Sequence, residues 1–472
     1  MKYQRYLSIL LALILLACLP VMPAVATEVT DPSEPVEEAL PADPLQLQCG
    51  NAVLLDGNNG TVLHDQGAFD TAYPASMTKV MTALLVLEAI EDGTITEDTL
   101  VTVSEYASQK VFPDESTANL IPGEQMSVKD LLYCLMLPSA NDAAKALAEH
   151  LSGTCEAFAE EMNARAVELG CKNTHFVNPN GLHEDDHYSC AYDIALMYQA
   201  AAEYPLFKTI VMTPDYTTQP TNLSGERYFF NTNGLISNYY YSGYVYNKCV
   251  GGKTGSTTQA GKCLVSAARE GERLLISVVM GAGPITMEDG STHLGQFYES
   301  TRLLEYGFAN FRPVTLSLPD EPVAAVSVSM SEDGTEVLLR PRGSISMSLH
   351  NSISQNDIQT RITLNEDSVV APVEEGAVMG SIELYCGDVS YGTLELVAER
   401  SLEYSKKMER QLKWQAFWEK NRGWIIGVPA GIILVPVALL LAVRTINMRR
   451  IKRRKQRVAQ RRAAQRKRQS RQ

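Results

Sequence analysis

Ser76 and Lys79 stand one helical turn apart, Ser139 and Asn141 flank a single alanine, and Lys253, Thr254, Gly255 and Ser256 are consecutive. A serine hydroxyl is a poor nucleophile near neutral pH and needs a positioned base. At this spacing on a helix, the side chains of Ser76 and Lys79 point the same way. A lysine that is desolvated beside a second cation loses enough basicity to accept the serine proton. Lys253 is the candidate for that second cation. It would also attract a substrate carboxylate, which Thr254 can hydrogen-bond, while Gly255 lets the backbone approach a ligand closely. The Ser139 hydroxyl suits a proton relay to a leaving amine, and the Asn141 amide can hold a peptide carbonyl. In this order the pieces describe acyl transfer through a covalent serine intermediate. Each also has a plainer reading alone: Ser76 as a helix N-cap, Lys79 as a solvated lysine, Ser139 to Asn141 as a turn between helices, and Lys253 to Gly255 as a strand end.

The elements that must position these groups are legible in the hydrophobic pattern. Residues 51–55 and 61–64 are short apolar stretches around Asp56-Gly57-Asn58-Asn59-Gly60, a β-hairpin signal. Val80, Ala83, Leu84 and Leu87 recur at helical spacing within 76–90, so Ser76 is expected at a helix start. Residues 128–137 and 143–151 read as helices with Ser139 and Asn141 in the turn between them, and Ser189 suits an N-cap for a helix over 191–202. The period then changes. Residues 262–269 and 273–280 are strand-like runs joined by Glu270-Gly271-Glu272, and a helix over 301–308 follows. From 314 to 398 the texture is short alternating strands, at 324–330, 336–340, 344–350 and 358–364, which implies a small all-β domain. Residues 401–420 read as a charged amphipathic helix.

Both chain ends speak of export. Residues 1–26 carry a basic start (Lys2, Arg5), an apolar run over 6–16 and Ala24-Val25-Ala26, the pattern of a cleavable secretory signal. Leu15-Leu16-Ala17-Cys18 is the alternative, a lipoprotein-type cleavage box. Residues 27–46 are rich in Pro, Glu and Asp, as expected of a flexible spacer. Residues 424–443 form an uncharged run of 20, long enough to cross a bilayer as a helix, where Pro429 and Pro436 are tolerated. A buried core helix is the alternative, but from Arg444 to Arg471 there are 14 Lys and Arg and no acidic residue, which favours a span with a cytoplasmic tail. The net charge of −14 therefore combines this basic tail with a strongly acidic middle. That balance excludes a general nucleic-acid binder, and basic residues beside a membrane suit anionic lipid headgroups. Nine cysteines include no C-x-x-C pair, which leaves zinc-ribbon and thioredoxin-like readings without support. His183-Glu184-Asp185-Asp186-His187 fits the H-E-x-x-H pattern of zinc peptidases. It falls between Asn178-Pro179-Asn180-Gly181 and Ser189, so it is expected in a loop that cannot put both histidines on one helix face, and no metal or cofactor is called for.

With its motifs placed, the chain resembles the low-molecular-mass penicillin-binding proteins, the D-alanyl-D-alanine carboxypeptidase family of serine peptidases. The likeness runs from about Cys49 to Ala398. It is carried by Pro74-Ala75-Ser76-Met77-Thr78-Lys79, Pro138-Ser139-Ala140-Asn141-Asp142-Ala143, Asn178-Pro179 with Gly181-Leu182, Ser189 with Ala191 and Asp193, and Gly252-Lys253-Thr254-Gly255. The resemblance implies an α+β fold: an antiparallel sheet flanked by helices in the β-lactamase manner, a small all-β domain, and one transmembrane helix. The domains are then 1–26 signal, 27–46 linker, 47–312 peptidase, 313–398 β-rich, 399–423 juxtamembrane helix, 424–443 span and 444–472 basic cytoplasmic tail. It further implies Ser76 as the acylated nucleophile, Lys79 as its base and Ser139 in proton transfer. Asn141, Lys253, Thr254, Gly255 and Ser256 would bind substrate, with the backbone N–H groups of Ser76 and Ser256 forming an oxyanion hole. The implied substrates are peptidoglycan stem peptides ending in D-Ala, with β-lactams as covalent inhibitors. Many relatives have an Arg just before the residue that is Phe297 here, where it helps bind the terminal carboxylate; this chain has Gln296. A β-lactamase and a catalytically silent wall-binding protein of the same fold are the alternatives. The bimodular anchored layout speaks against the first and the intact motifs against the second.

Overall fold

A computed structural model describes residues 45–469 apart from 317, 319, 320 and 388. The expected secretory signal with Cys18, and the spacer up to residue 44, lie outside the described residues. Strands β1 (Asn51–Asp56) and β2 (Val62–Gln66) form the expected hairpin. β3 (Cys249–Thr257), β4 (Gly261–Glu270) and β5 (Arg273–Ala282) complete a five-stranded sheet of order β2-β1-β5-β4-β3, in which every neighbouring pair is antiparallel. Side chains alternate across such a sheet, and both faces are apolar. Val265, Ala267, Ile276 and Val278 join the main core cluster with helices α1 (Lys79–Glu91), α2 (Val128–Met136), α3 (Asn141–Ser152), α4 (Cys155–Glu168) and α5 (Ala191–Ala201). Leu264 faces the other way and packs with Phe297 of α6 (Gly295–Asn310).

Three local expectations need correction. α6 begins six residues before the expected 301, because Phe297, Ser300, Leu303 and Leu304 continue one buried face through a first turn whose Gly295 and Gln296 hide the period. The N-cap of α5 is Cys190, whose thiol accepts the Asp193 N–H at 3.4 Å; the Ser189 hydroxyl is engaged with Thr174 Oγ1 at 2.8 Å instead. The C-terminal helix begins at Lys406, so residues 399–405 are not part of it. Leu402 is fully buried and bridges Val373, and the Ser405 hydroxyl accepts the Met408 N–H, which ends the extended segment and starts the helix.

The C-terminal domain pairs Phe311–Leu316 with Ile345–His350 and adds a six-stranded sheet built from Gln359–Leu364, Val378–Cys386, Val389–Ala398, Glu336–Arg342, Ala324–Ser329 and Ser368–Val370, in that spatial order. Val326, Val328, Val337, Leu339, Leu394 and Leu396 alternate inward to form its core. The Ser348 hydroxyl donates to the Asp56 carboxylate, a buried bond that ties this domain to the end of β1. Beyond it, α7 (Lys406–Gln469) runs without a break through the expected juxtamembrane segment, span and tail, and carries Pro429 and Pro436 inside it. Among the described residues it is the one helix long and apolar enough to cross a membrane. The cysteines from Cys49 to Cys386 are free thiols; burial pushes Cys155, Cys171 and Cys190 up to about 12, so these stay protonated.

Candidate active site

Ser76 lies on a 3-10 turn, Ala75–Thr78, that leads directly into α1. Residues 80, 81, 83, 84, 86 and 87 of α1 are all buried, so the helix is a core element rather than an amphipathic surface one. Lys79 therefore has nowhere to place its amine except inside, and it is 0 % exposed. Its Nζ sits 3.0 Å from Ser76 Oγ, 2.6 Å from Asn141 Oδ1 and 2.6 Å from the Asn180 carbonyl oxygen. An ammonium donates to all three. A neutral amine has two N–H groups for the two carbonyl oxygens and one lone pair, which then faces the Ser76 hydroxyl. Burial first, and then the nearby Lys253 ammonium, hold Lys79 well below the ordinary lysine range, opposed by the carboxylates of Glu115 and Asp142. Lys253 is 1 % exposed, and burial brings it down to about 7.

The neighbouring segments are fitted to the Ser76 turn with little tolerance. Gly181 has φ +81°, and a Cβ there would lie 1.9 Å from the Ala75 carbonyl oxygen, so only glycine lets the 178–182 loop reach Lys79. Thr82 Oγ1 donates to the Pro179 carbonyl at 2.5 Å, and Asn178 Oδ1 accepts the Gly181 N–H at 2.8 Å. At Gly255 a Cβ would meet the Pro74 carbonyl oxygen at 2.9 Å, so the glycine also admits the Ser76 turn to β3. Ala75 (φ +48°) and Ser139 (φ +64°) both sit in the left-handed region, strained for non-glycine residues and typical of functional turns. The Ser139 hydroxyl is buried and has no hydrogen-bond partner among the described residues.

Ser76, Asn141 and Ser256 line one cleft of about 310 Å³, whose rim includes Glu115, Leu182 and His183. Lys79 and Lys253 are buried and do not line it. Thr254 Oγ1 is 2.7 Å from Thr232 Oγ1, and Lys262 Nζ donates to Ser256 Oγ at 3.1 Å. Gln296 does not line the cleft; it is 5 % exposed, and its Oε1 has no partner among the described residues.

Four contributors escaped the sequence reading. Glu115 accepts from Asn141 Nδ2 at 2.8 Å, the Asn180 carbonyl accepts from Lys79, and Thr232 meets Thr254. The fourth is His187, half of the rejected zinc pattern. The Val177 N–H donates to its Nδ1 at 3.1 Å, so Nε2 carries the proton and donates to Thr78 Oγ1 at 2.8 Å. Burial and the neighbouring His175, His183 and Lys79 lower it to about 3, which makes it a neutral clamp on the Ser76 turn. Of these four, only Asn180 carried a signal, the Asn-Pro-Asn-Gly turn.

A serine, a buried lysine and a second buried lysine at the end of an antiparallel sheet define a serine acyl-transfer enzyme of the penicillin-binding fold. Comparison with known proteins agrees. The family model described as D-alanyl-D-alanine carboxypeptidase matches residues 37–283, and that for the penicillin-binding protein 5 C-terminal domain matches 311–404. The D-alanyl-D-alanine carboxypeptidase DacF of Bacillus subtilis is 35% identical over 335 residues, 71% of this chain and 80% of its own length. DacA of Escherichia coli is 33% identical over 359 residues, 73% of this chain and 80% of its own. The crystal structure of penicillin binding protein 5 from Haemophilus influenzae superposes with a TM-score of 0.62 at 31% identity, over 77% of this chain and all of that one. The chain belongs to this family: it is a low-molecular-mass penicillin-binding protein, a serine-type D-alanyl-D-alanine carboxypeptidase.

Proposed function

We propose that Ser76 is the group acylated by peptidoglycan stem peptides, and that the enzyme removes their terminal D-Ala. Neutral Lys79 takes the hydroxyl proton as Ser76 Oγ attacks the carbonyl of the penultimate D-Ala. The backbone N–H groups of Ser76 and Ser256 hold the oxyanion, donors already aimed at the charge that develops. The C–N bond then breaks, the departing D-Ala amine takes a proton through Ser139, and water later hydrolyses the ester. Asn141 orients the peptide, Gly255 keeps Ser256 close to the nucleophile turn, and Lys253 with Thr254 binds the terminal carboxylate. The observation that carries this reading is the Lys79 amine, whose two carbonyl acceptors leave its lone pair to Ser76. β-Lactams would acylate the same serine. Incubating the full chain with a fluorescent penicillin, and assaying D-Ala release from a model stem peptide, tests it. Label and release on wild type, both absent from Ser76→Ala, are expected; equal labelling of the two proteins would remove Ser76 from the mechanism, and fast β-lactam turnover would make it a β-lactamase.

The same proposal covers placement. Residues 1–26 direct export, 47–312 and 313–398 stand outside, 424–443 cross the membrane once, and 444–472 remain in the cytoplasm against anionic lipids, with no role in nucleic-acid binding. Trp414, Phe417, Trp418 and Trp424 are exposed and support an interface at this end of the span, since aromatic side chains gather at membrane–water interfaces, while the basic residues beyond Arg444 support its orientation. An epitope after Gln472 should be stained only in permeabilised cells; staining of intact cells would invert the topology.

A further inference from the structure

Glu115 is 9 % exposed on a segment that lines the cleft with Phe112, Asp114 and Ser116, and three N–H donors converge on its carboxylate. Val111 N and Phe112 N donate to Oε2 at 2.7 and 3.3 Å, and Asn141 Nδ2 donates to Oε1 at 2.8 Å. The segment is further fastened by the Asn141 N–H on the Ser116 carbonyl at 2.8 Å and by Asp142, whose carboxylate accepts from the Ala118 and Leu120 N–H groups.

This arrangement fixes which way the Asn141 amide faces. A carboxylate only accepts, so it demands the NH2 end; the carbonyl end is thereby turned to Lys79 Nζ at 2.6 Å. The orientation matters once Lys79 is neutral, because the amine then has a single lone pair. With two carbonyl oxygens on its N–H groups, that lone pair is left for the Ser76 proton. A reversed Asn141 amide would donate to the lone pair and block the base. We propose that Glu115 is a positioning residue which locks the Asn141 amide so that the Lys79 lone pair is left to activate Ser76. This rests on the reading of Ser76 and Lys79 given above. The groups that face the Lys79 amine are Lys253 from β3, Glu115 from the cleft segment, Asp142 from α3 and neutral His187 from the loop behind the nucleophile turn. Glu115 and Asp142 oppose the fall in Lys79 basicity, and Glu115 alone also bonds to one of its ligands.

The test is the second-order rate of acylation by a fluorescent penicillin, measured against pH for the full chain, Glu115→Gln and Glu115→Asp. A glutamine offers one acceptor where two are needed, so the rate at the optimum should fall at least about tenfold. Loss of the negative charge should move the acid limb downward by roughly one pH unit. Glu115→Asp keeps the charge and loses the reach: its rate should fall while its acid limb stays with wild type. A Glu115→Gln profile that superimposes on wild type overturns the proposal. So does one in which only the labelled fraction and the melting temperature drop, since that is what a purely structural glutamate would give. If Glu115→Gln does not fold, Glu115→Asp decides alone, and an unchanged rate there overturns it. Absence of label on the wild type would instead be a failure of the Ser76 reading.

Discussion

Between Val314 and Leu402, the polar side chains buried among the described residues are two serines, Ser331 and Ser348. The peptidase domain, by contrast, buries Lys79, Glu115, Asp142, His187, Lys253 and Glu299. Burying an ionisable group without a well-placed opposite charge costs several kcal/mol, so a domain that only has to hold its shape avoids it. The β domain keeps its core apolar, and strands such as Ala324–Ser329 and Glu336–Arg342 alternate inward and outward. The peptidase domain departs from this in several places, among them around Ser76, where desolvation lowers the basicity of Lys79. The contrast separates burial for stability from burial for chemistry.

The most direct way to break this contrast is Lys79→Met. If the buried amine serves chemistry, acylation should fall by about 10³-fold, within the range for loss of a general base, while the melting temperature holds or rises because a desolvated amine has become apolar. Activity that survived in this variant would end the distinction. Leu396→Ala is the mirror experiment in the β domain. It should cost about 2–5 kcal/mol in denaturant unfolding, with the acylation rate per folded molecule unchanged; a slower rate would mean that the two domains are coupled.

Gly181→Ala sharpens the picture on the peptidase side. The new methyl would collide with the Ala75 carbonyl oxygen at a backbone φ of +81°, so the Asn180 carbonyl must leave Lys79 and acylation should drop about tenfold or more. Penicillin labelling kinetics would show it, and wild-type kinetics would mean that Lys79 does not need this acceptor. The smallest effect is in the pH profile of kcat/KM for D-Ala release. That quantity reports the free enzyme. Activity should rise with pH as Lys79 loses its proton, and fall as Lys253 loses its own near pH 7, because neutral Lys253 no longer attracts the carboxylate. Lys253→Arg keeps the cation at all these pH values, so its alkaline limb should move upward. A limb that stays in place belongs to another group.

Much of the fold was legible because its signals are local. The β-domain strands announce themselves by alternation, α1 by its period, and Ser76 and Lys79 by sharing one helix face. Errors fell where a local rule met a tertiary alternative. Ser189 looked like a cap, but its hydroxyl had a nearer partner in Thr174. The start of α6 was hidden by Gly295 and Gln296, which carry no apolar signal although both are buried. The fit of Gly255 against the Ser76 turn was not legible, because nothing in the sequence places Pro74 against it. Glu115 was missed altogether, since a glutamate in a Pro- and Ser-containing stretch ordinarily reads as solvated loop.

The sequence by itself determined which residues could carry acyl transfer, the helix that aligns the nucleophile with its lysine, the alternating strands of the C-terminal domain and the apolar run of a span. These depend on residue type and on spacings of a few positions, which backbone geometry converts directly into direction. Only the tertiary structure decided the protonation states and the orientation of the Asn141 amide. Both depend on desolvation and on groups brought together from positions 79, 115, 141, 180 and 253, and chain folding, not spacing, sets those distances.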